Sequence, residues 1–239
     1  MSDPSDVIAT TGYVSLGGSE LRARFDPAGT ALSGPEWDRF AASWGNLRPD
    51  TFMADGGRYR LRRHAIYAAR TGEPVERLPH GPHYQALDHN PLNGGIERWF
   101  EPVTPEISDG PAMSALLNGA RTVFERLMTP AAWHIEAHQF RIEARPGAAG
   151  KPTPEGMHRD GVNHVLVLMV GRENVEGGVT GIQVDGQPGQ ASFTLSDPAD
   201  AVLLDDARVR HGVTPVVPID PARPGHRDVL VLTFAARGA

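Results

Sequence analysis

The chain has 239 residues, contains no cysteine and carries a formal net charge of −6 at pH 7. The lack of cysteine excludes disulfides and thiolate-ligated zinc or iron–sulfur sites, and it favours an intracellular, cytoplasmic protein. The acidic balance argues against a nucleic-acid partner, and no apolar stretch approaches the 18 residues of a membrane span, so no membrane partner is expected.

The N-terminal part of the chain predicts two helices with apolar stripes. Residues 1–30 are weakly patterned, lack the basic and apolar regions of a signal peptide, and contain candidate strands at Tyr13–Leu16 and Leu21–Phe25. A first helix is predicted over Pro35–Trp44, because its aromatic residues recur at helical spacing behind a proline. A second helix, Met113–Leu127, carries a continuous apolar stripe. Both stripes are typical of core packing.

From Trp133 onward the sequence changes to the two-residue period of strands, interrupted by short runs of glycine, proline and aspartate. Seven short strands without a helix between them favour an antiparallel sandwich or jelly roll, with the helices outside one sheet. We therefore expect one mainly β domain with flanking α-helices over 1–239, in which 1–130 supports a jelly-roll core at 131–239. The candidate strands are His134–Glu143, Val162–Gly171, Gly178–Val184, Ala191–Thr194, Ala201–Leu204, Val213–Val217 and Val229–Ala235.

The segment PEGMHRDG at 154–161 carries the clearest chemical signal. His158 and Asp160 are two residues apart, so in extended backbone both side chains point to the same side. His211, at the start of a later strand, is the natural third ligand. Two histidines and one carboxylate form the facial triad of non-heme Fe(II) oxygenases. The alternative is a turn histidine beside a capping aspartate, since His-x-Asp also occurs by chance.

Arg227 lies at the entrance to the last apolar strand. A keto-acid that chelates iron still has a far carboxylate to neutralise, and a guanidinium offers that carboxylate a bidentate, permanently charged partner. On a strand, Val229, Val231 and Thr233 share the face of Arg227. Thr233 is therefore a candidate for a further co-substrate contact. Taken alone, Arg227 would more often be a surface arginine beside a loop.

Together these segments resemble the bacterial 2-oxoglutarate/Fe(II) dioxygenase family that includes the L-isoleucine 4-hydroxylases and related free amino-acid hydroxylases. The resemblance spans roughly residues 50–236 and implies a double-stranded β-helix (jelly roll, cupin-like). It implies Fe(II) on His158, Asp160 and His211, with Arg227 as the 2-oxoglutarate anchor. It also implies consumption of O₂, release of succinate and CO₂, and hydroxylation of an aliphatic carbon of a free L-amino acid. The segments that carry it are DGGRYRLRRHAIY, YQALDHNPLNGGIERWFEPV, HQFRIEA, PTPEGMHRDGVNHVLVLMVGRENVEGG, DDARVRHGVTPV and HRDVLVLTF.

The resemblance places the strand at 134–143 against the cavity, which makes Gln139 and Arg141 candidates for contact with a carboxylate of the co-substrate. Three polar residues alternate on the opposite face of that strand. We favour a polar, partly exposed face there over a second metal site, because the outer two residues are roughly 13 Å apart. The three residues are His134, Glu136 and His138.

The loop from Tyr84 to Arg98 is too polar to be core, and loops beside a rigid barrel often carry substrate contacts. Asp88 could accept from the ammonium group of a free amino acid, while Asn93 and Arg98 could donate to its carboxylate. A plain surface turn is an equally open interpretation. The arginines at 58, 60, 62 and 63 are interpreted as a solvated or ion-paired strand edge.

The sequence thus predicts an Fe(II)- and 2-oxoglutarate-dependent dioxygenase that acts on a small molecule. One alternative is a cupin-like isomerase or hydrolase with Zn²⁺ or Mn²⁺ on the same ligands, and another is a non-catalytic jelly-roll binding module. Succinate release that depends on 2-oxoglutarate would separate them. Neither the amino acid nor the oligomeric state follows from the sequence, and a homodimer is possible.

Overall fold

A computed structural model describes residues 2–87 and 94–238. The helices in these ranges all precede the long strands of the C-terminal half. They are α1 (Pro4–Thr11), α2 (Gly18–Phe25), α3 (Gly34–Ala42) followed by a 3₁₀ turn (Ser43–Asn46), α4 (Pro105–Ser108) and α5 (Pro111–Glu125).

Fifteen strands occur in the described ranges, and every strand pair among them is antiparallel. They are β1 (Tyr13–Leu16), β2 (Arg48–Pro49), β3 (Arg60–Arg70), β4 (Glu76–Arg77), β5 (His83–Tyr84), β6 (Glu97–Arg98), β7 (Ala132–Ala144), β8 (His164–Glu173), β9 (Val175–Gly177), β10 (Thr180–Val184), β11 (Ala191–Phe193), β12 (Ala201–Asp205), β13 (Val209–Val213), β14 (Val216–Pro218) and β15 (Gly225–Arg237).

The main sheet has the order β1-β12-β8-β15-β7-β3-β2, with β4 also paired to β3. A smaller sheet, β11-β10-β13, packs over part of it, and β14-β9 and β5-β6 form two further pairs. Apolar side chains from both sheets meet in a shared cluster, among them Val165 of β8, Ile182 of β10 and Val209 of β13. Two antiparallel sheets around one cavity confirm the predicted mainly β jelly roll with helices outside.

The helices cover the other face of the main sheet. The stripe of α5, including Leu116 and Phe124, is fully buried against Trp133 of β7 and Phe234 of β15. Removing one such large side chain costs roughly 2–5 kcal/mol in folded proteins. In the described ranges, no helix is long and apolar enough to cross a membrane. The helix side of the sheet is therefore core, and the opposite side is where a site can form.

Both helices predicted from apolar stripes are confirmed, as is the strand at Tyr13–Leu16. The predicted strand Leu21–Phe25 is wrong, because this segment is the second half of α2. Leu21 and Phe25 are both buried and four residues apart, so they share one helix face. In the sequence LRARF at 21–25, apolar residues alternate with arginines, which is also the pattern of a half-buried strand. The predicted strand Val213–Val217 is also corrected, since β13 ends at residue 213 and a new strand begins at 216.

The main sheet draws on both halves of the chain. Residues 131–239 were predicted to carry the jelly-roll core with 1–130 as its support, and β1 and β3 of that supporting part belong to the main sheet. β3 pairs with β7 from Arg60 to Arg70. Its arginines at 60, 62 and 63 are buried rather than solvated, which corrects that part of the prediction. The ion-paired part is confirmed, because Arg60 and Arg62 flank the buried Asp50.

Candidate metal, co-substrate and substrate site

A cavity of about 460 Å³ opens on the face of the main sheet that the helices leave uncovered. Its floor is formed by β3, β7 and β15, which lie side by side, so that paired residues form rows across the floor. Its roof carries residues 158–161 and β13. Three of the rows are Arg60–Ile142–Arg227, His64–His138–Val231 and Ile66–Glu136–Thr233.

The structure brings the three predicted metal ligands together. His158 and His211 form a backbone bridge, which holds their rings 4.5 Å apart. The Nε2 atoms of His158 and His211 lie 3.6 and 3.5 Å from the two carboxylate oxygens of Asp160. One ligand atom from each residue lies within 4.8 Å of the others. His211 sits in the middle of β13 rather than at the start of a strand as predicted.

The hydrogen bonds of the triad turn one ring nitrogen of His158 toward the metal position. His158 Nδ1 donates to the carbonyl oxygen of Gly156 at 3.1 Å, so a bound metal would take the place of the proton on Nε2, the nitrogen nearer Asp160. Two imidazoles, one carboxylate and open space beside them match the donor set of non-heme Fe(II). The residues present therefore fit the metal that the sequence predicted.

Charge in the triad is concentrated on Asp160. Burial raises the pKa of Asp160, but the neighbouring imidazoles of His158 and His211 outweigh it and hold the pKa well below its usual value. Burial lowers the pKa of His158, yet Asp160 and the nearby Glu155 raise it to about 9. Burial lowers the pKa of His211 to about 4. A half-buried carboxylate that stays ionised at neutral pH is well suited to hold a cation.

Asp206 positions the backbone of the segment that carries His158 and Asp160, a role that no local pattern indicated. Its carboxylate accepts hydrogen bonds from the backbone N–H groups of Asp160, Gly161 and Val162, at 3.0, 2.8 and 3.2 Å. Burial and the charge of Asp160 raise the pKa of Asp206 to about 6. The side chain is buried. It therefore acts through the segment it holds rather than by facing the cavity.

Arg227 is buried at the start of β15 and lines the cavity, as predicted. Its Nε and Nη2 atoms have no hydrogen-bond partner among the described residues. Burial, and next the charge of Arg172, lower its pKa to about 10, so the guanidinium stays charged at neutral pH. Buried unpaired N–H groups are costly. An anion such as a carboxylate would satisfy them.

Thr233 also lines the cavity, but it is too far from Arg227 to share a ligand's carboxylate with it. Six residues of extended strand separate the two, which is about 20 Å. A five-carbon dicarboxylate bound by Arg227 cannot reach that distance. Thr233 pairs instead with Glu136 across β15 and β7. Thr233 is therefore not placed to share the far carboxylate with Arg227, and any other contact of Thr233 with the co-substrate stays a prediction.

Gln139 and Arg141 face away from the cavity. Gln139 donates to Ser43 Oγ at 2.8 Å on the helix side of the sheet, and Arg141 forms two hydrogen bonds with Asp228, at 2.8 and 2.6 Å. The cavity is lined by the even-numbered residues of β7 instead. The prediction that Gln139 or Arg141 contacts the co-substrate is corrected, because the opposite face of the strand is turned inward.

Of the three substrate candidates in the predicted loop, Arg98 is the one that lies within the described residues. Asp88 and Asn93 lie outside the described residues, so their contacts stay predictions. Arg98 lies on β6, is 2% exposed and lines the cavity. It donates to Gln85 Oε1 at 3.3 Å through Nη2, while its Nε has no partner in the described ranges. Like Arg227, it is a buried guanidinium with an N–H donor that has no partner among the described residues.

The alternating residues of β7 are not a partly exposed face, which corrects the prediction. Glu136 and His138 are largely buried and meet two histidines from elsewhere, His64 on β3 and His83 on β5. One ligand atom from each of the four lies within 4.8 Å of the others. We call these four residues the Glu136 cluster. His134, at the outer end of the strand, is half-buried and lies 3.3 Å from Glu136.

Sequence reasoning missed His64, His83, Glu136, Arg62 and Asp206 as parts of the site. One signal was available: β3 and β7 both alternate charged or histidine residues with apolar ones over a long run. Such alternation in two strands can mark a polar cavity as well as solvent. His164 and His226 lie outside the cavity lining.

Comparisons with known proteins agree with this geometry. A family model described as 2OG-Fe dioxygenase matches residues 41–233. A bsmA homolog from Methylobium petroleophilum PM1 has 39% sequence identity and a TM-score of 0.89, over 98% of this chain and 92% of that chain. A comparison with curated proteins gave no significant match.

Two more distant structures share the fold. IDO from Bacillus thuringiensis has 17% identity and a TM-score of 0.78, over 98% of each chain. The Fe(II)/(alpha)ketoglutarate-dependent dioxygenase TqaL has 19% identity and a TM-score of 0.78, over 98% of this chain and 86% of that chain. At these identities the likeness concerns the fold alone.

The fold and site are those of an iron- and keto-acid-dependent oxygenase. The chain belongs to the 2OG-Fe dioxygenase family. Its cofactors are therefore Fe(II), 2-oxoglutarate and O₂. Family membership favours the predicted oxygenase over the cupin-like isomerase, the hydrolase and the non-catalytic module.

Proposed function

We propose that His158, Asp160 and His211 hold Fe(II), and that Arg227 binds the far carboxylate of 2-oxoglutarate. The triad has the right donors on one side of the cavity. Arg227 is a buried guanidinium with two unpartnered nitrogens in the same cavity, and a carboxylate can accept two parallel hydrogen bonds from such a fork.

We further propose that the substrate is a small free L-amino acid, branched, cyclic or polar-tipped, and that an aliphatic Cγ or Cδ is hydroxylated. The observation that carries this proposal is a second buried arginine with an unpartnered donor, Arg98, in the cavity that holds the triad. One arginine suffices for the co-substrate, so the other is available for a carboxylate of the substrate. The resemblance to free amino-acid hydroxylases supports the same substrate class.

Iron with 2-oxoglutarate and O₂ supplies an oxidant for unactivated C–H bonds, and succinate and CO₂ are released. The protein's part is to bind and orient. Arg227 and Arg98 hold two carboxylates at separate places in the cavity. Asp206 keeps the segment of Asp160 rigid through its three backbone hydrogen bonds. Apolar floor residues such as Val231 exclude water beneath the site.

The test is a substrate screen with the iron-loaded enzyme. Succinate formation is followed with twenty amino acids and their common non-protein relatives, after O₂ is admitted to an anaerobic mixture. Mass spectrometry then shows whether the amino acid has gained one oxygen. We expect at least one small aliphatic amino acid to give both signals in equal amounts.

The matched controls are the N-acetylated and amidated forms of the same amino acid. Each blocks one of its two charged groups, so both should be poor substrates. Equal turnover of the blocked forms would contradict a free amino acid and indicate a peptide or a carrier-bound residue. Arg98→Ala should weaken the apparent affinity for the amino acid while iron content stays unchanged.

A further inference from the structure

The Glu136 cluster contains residue types that bind metals, but its histidines direct their ring protons at the carboxylate of Glu136 instead of offering lone pairs to a metal. Arg62 Nη2 lies 2.8 Å from His138 Nδ1, and arginine can only donate, so Nδ1 is the acceptor. Burial, and next the charge of Arg62, hold the pKa of His138 well below its usual value, so the ring is neutral. Its one ring proton is then on Nε2, 3.4 Å from Glu136 Oε2. A protonated Nε2 has no lone pair for a metal.

The other histidines of the cluster also point at the carboxylate. His64 Nε2 lies 2.9 Å and His83 Nδ1 2.5 Å from Glu136 Oε2. Burial lowers the pKa of both rings, so they are neutral donors. Burial raises the pKa of Glu136, but the hydrogen bonds from the histidines outweigh it and hold the pKa well below its usual value. The cluster therefore keeps one full negative charge, carried by Glu136.

The two oxygens of Glu136 are used unequally. Oε2 faces three imidazoles, whereas the one hydrogen bond to Oε1 in the described ranges comes from the half-buried His134 at 3.3 Å. A carboxylate oxygen can accept more than one hydrogen bond. Glu136 lines the cavity, and the hydroxyl-bearing Thr233 is its neighbour across the strand pair. A donor in the cavity can therefore reach two acceptors at this point.

The acidic group also lies close to the basic one. His83, which donates to Glu136, is paired with Arg98 across β5 and β6. Arg98 contacts Gln85, and Gln85 donates to the backbone oxygen of Asp160 at 3.0 Å. One small segment thus places an anion, a cation and a metal ligand around the same space. These charges are complementary to a zwitterion, such as a free amino acid, bound beside the metal.

We infer that Glu136 binds the ammonium group of the substrate, with the Thr233 hydroxyl as a second acceptor, and that the substrate lies between Glu136 and Arg98. The inference rests on the proposed function and names the residue that binds the amino group. That residue is Glu136 on β7, rather than Asp88 in the loop at 84–98 as the sequence suggested. The inference also predicts that a 2-hydroxy acid, which lacks the ammonium charge, binds less well than the matching amino acid.

The test is a binding titration of protein loaded with Zn(II) in place of Fe(II) and with 2-oxoglutarate, so that no turnover occurs. The probes are L-leucine and L-isoleucine, their matching 2-hydroxy acids, and isobutylamine. The proteins are the wild type, Glu136→Gln, Thr233→Val and the control Glu143→Gln. Glu143 lies on the same strand outside the cavity lining and pairs with Arg145. Metal content is measured for each protein.

We expect Glu136→Gln to weaken amino-acid binding roughly ten- to hundredfold, because a charge-assisted hydrogen bond is lost. Isobutylamine binding should weaken too, whereas the 2-hydroxy acids should bind as to the wild type. Thr233→Val should weaken amino acids roughly two- to tenfold, as for one neutral hydrogen bond, and Glu143→Gln should change nothing. Every protein should hold one metal per chain.

Three results would overturn the inference: no amine binding by the wild type, equal losses for amino acids and 2-hydroxy acids, or two metals per chain. If Glu136→Gln does not fold, the test rests on Thr233→Val. In that variant, the loss of affinity must be confined to ligands that carry an amino group. Failure of the proposed function looks different. In that case no amino acid is oxidised in the screen, while isobutylamine still depends on Glu136.

Discussion

Two groups of histidines around a carboxylate share one cavity, and they differ in spacing and in proton placement. In the triad, the histidine nitrogens lie 3.5 and 3.6 Å from Asp160, too far for strong hydrogen bonds. In the Glu136 cluster, two imidazoles hydrogen-bond the carboxylate directly, at 2.5 and 2.9 Å. The first arrangement leaves room for an ion between its groups. In the Glu136 cluster, the ring protons that bind the carboxylate occupy the place that an ion would need.

The partner of the outer ring nitrogen accounts for much of this difference. His158 donates from Nδ1 to a carbonyl oxygen, so Nε2 is the nitrogen at which a metal can replace a proton. His138 accepts at Nδ1 from Arg62, which puts the proton on Nε2. His158 and His138 thus differ in their ability to bind a metal through Nε2, because the hydrogen-bond partner of Nδ1 selects the tautomer of the ring. Residue types and mutual distances alone do not identify a metal site.

The largest effect is expected from breaking the triad. His211→Ala should lower the affinity for Fe(II) by more than about 100-fold, since loss of even an outer contact of a ligand costs 10–100-fold. Glu136→Gln should keep its iron. Iron per chain after gel filtration measures both. Full occupancy in His211→Ala would sink the ligand assignment.

A smaller effect is expected at the co-substrate. Arg227→Ala should raise the concentration of 2-oxoglutarate required by about ten- to hundredfold, because one charge-assisted contact is lost. Iron content should not change. The measurement is the dependence of succinate formation on 2-oxoglutarate. An unchanged requirement in Arg227→Ala, with a raised one in Arg141→Ala, would instead assign the carboxylate to Arg141.

Arg62 allows the cluster itself to be converted. In Arg62→Met, His138 can carry its proton on Nδ1 and offer Nε2, so we expect the Glu136 cluster to take up Zn(II) as a second equivalent. Arg60→Met is the control, because it removes the other arginine at Asp50 and leaves the contact to His138 in place. Zinc per chain after dialysis is measured. The same content in both variants would show that tautomer selection is not what keeps metal out.

His164 shows what burial does to an imidazole whose ring nitrogens have no hydrogen-bond partner among the described residues. Neither of its ring nitrogens has a partner in the described ranges, and burial lowers its pKa to about 4. A folded-state pKa below the unfolded value of about 6.5 means that stability is fully present above pH 6.5 and is lost as the pH falls toward 4. Between pH 7 and 5 the loss should be about 2 kcal/mol.

Urea unfolding at the two pH values, with the parent chain and His164→Leu, measures this loss. The variant packs an apolar side chain against Phe124, where the imidazole stacks at 4.7 Å. Its free energy of unfolding should fall less between pH 7 and 5, by about the same 2 kcal/mol. Equal falls in both proteins would mean that His164 does not resist protonation in the folded state.

Local periodicity was sufficient for much of the fold and for two of the three proposed metal ligands. The stripe of α5 and the alternation of β7 and β15 follow from spacing along the chain. The same rule put His158 beside Asp160 and Val229 on the face of Arg227. These are short-range relations, so a sequence can specify them without knowledge of neighbouring strands.

Only the tertiary structure decided which face of each strand looks into the cavity, and which residues meet there. A strand has two faces, and a shift of one residue exchanges them. Gln139 was therefore assigned to the site when Glu136 belongs there. The Glu136 cluster needs β3 beside β7 and His83 of β5 packed against both strands, over separations of 53 and 72 residues. That neighbourhood results from burial of the opposite, apolar face against the helices, which no local pattern contains.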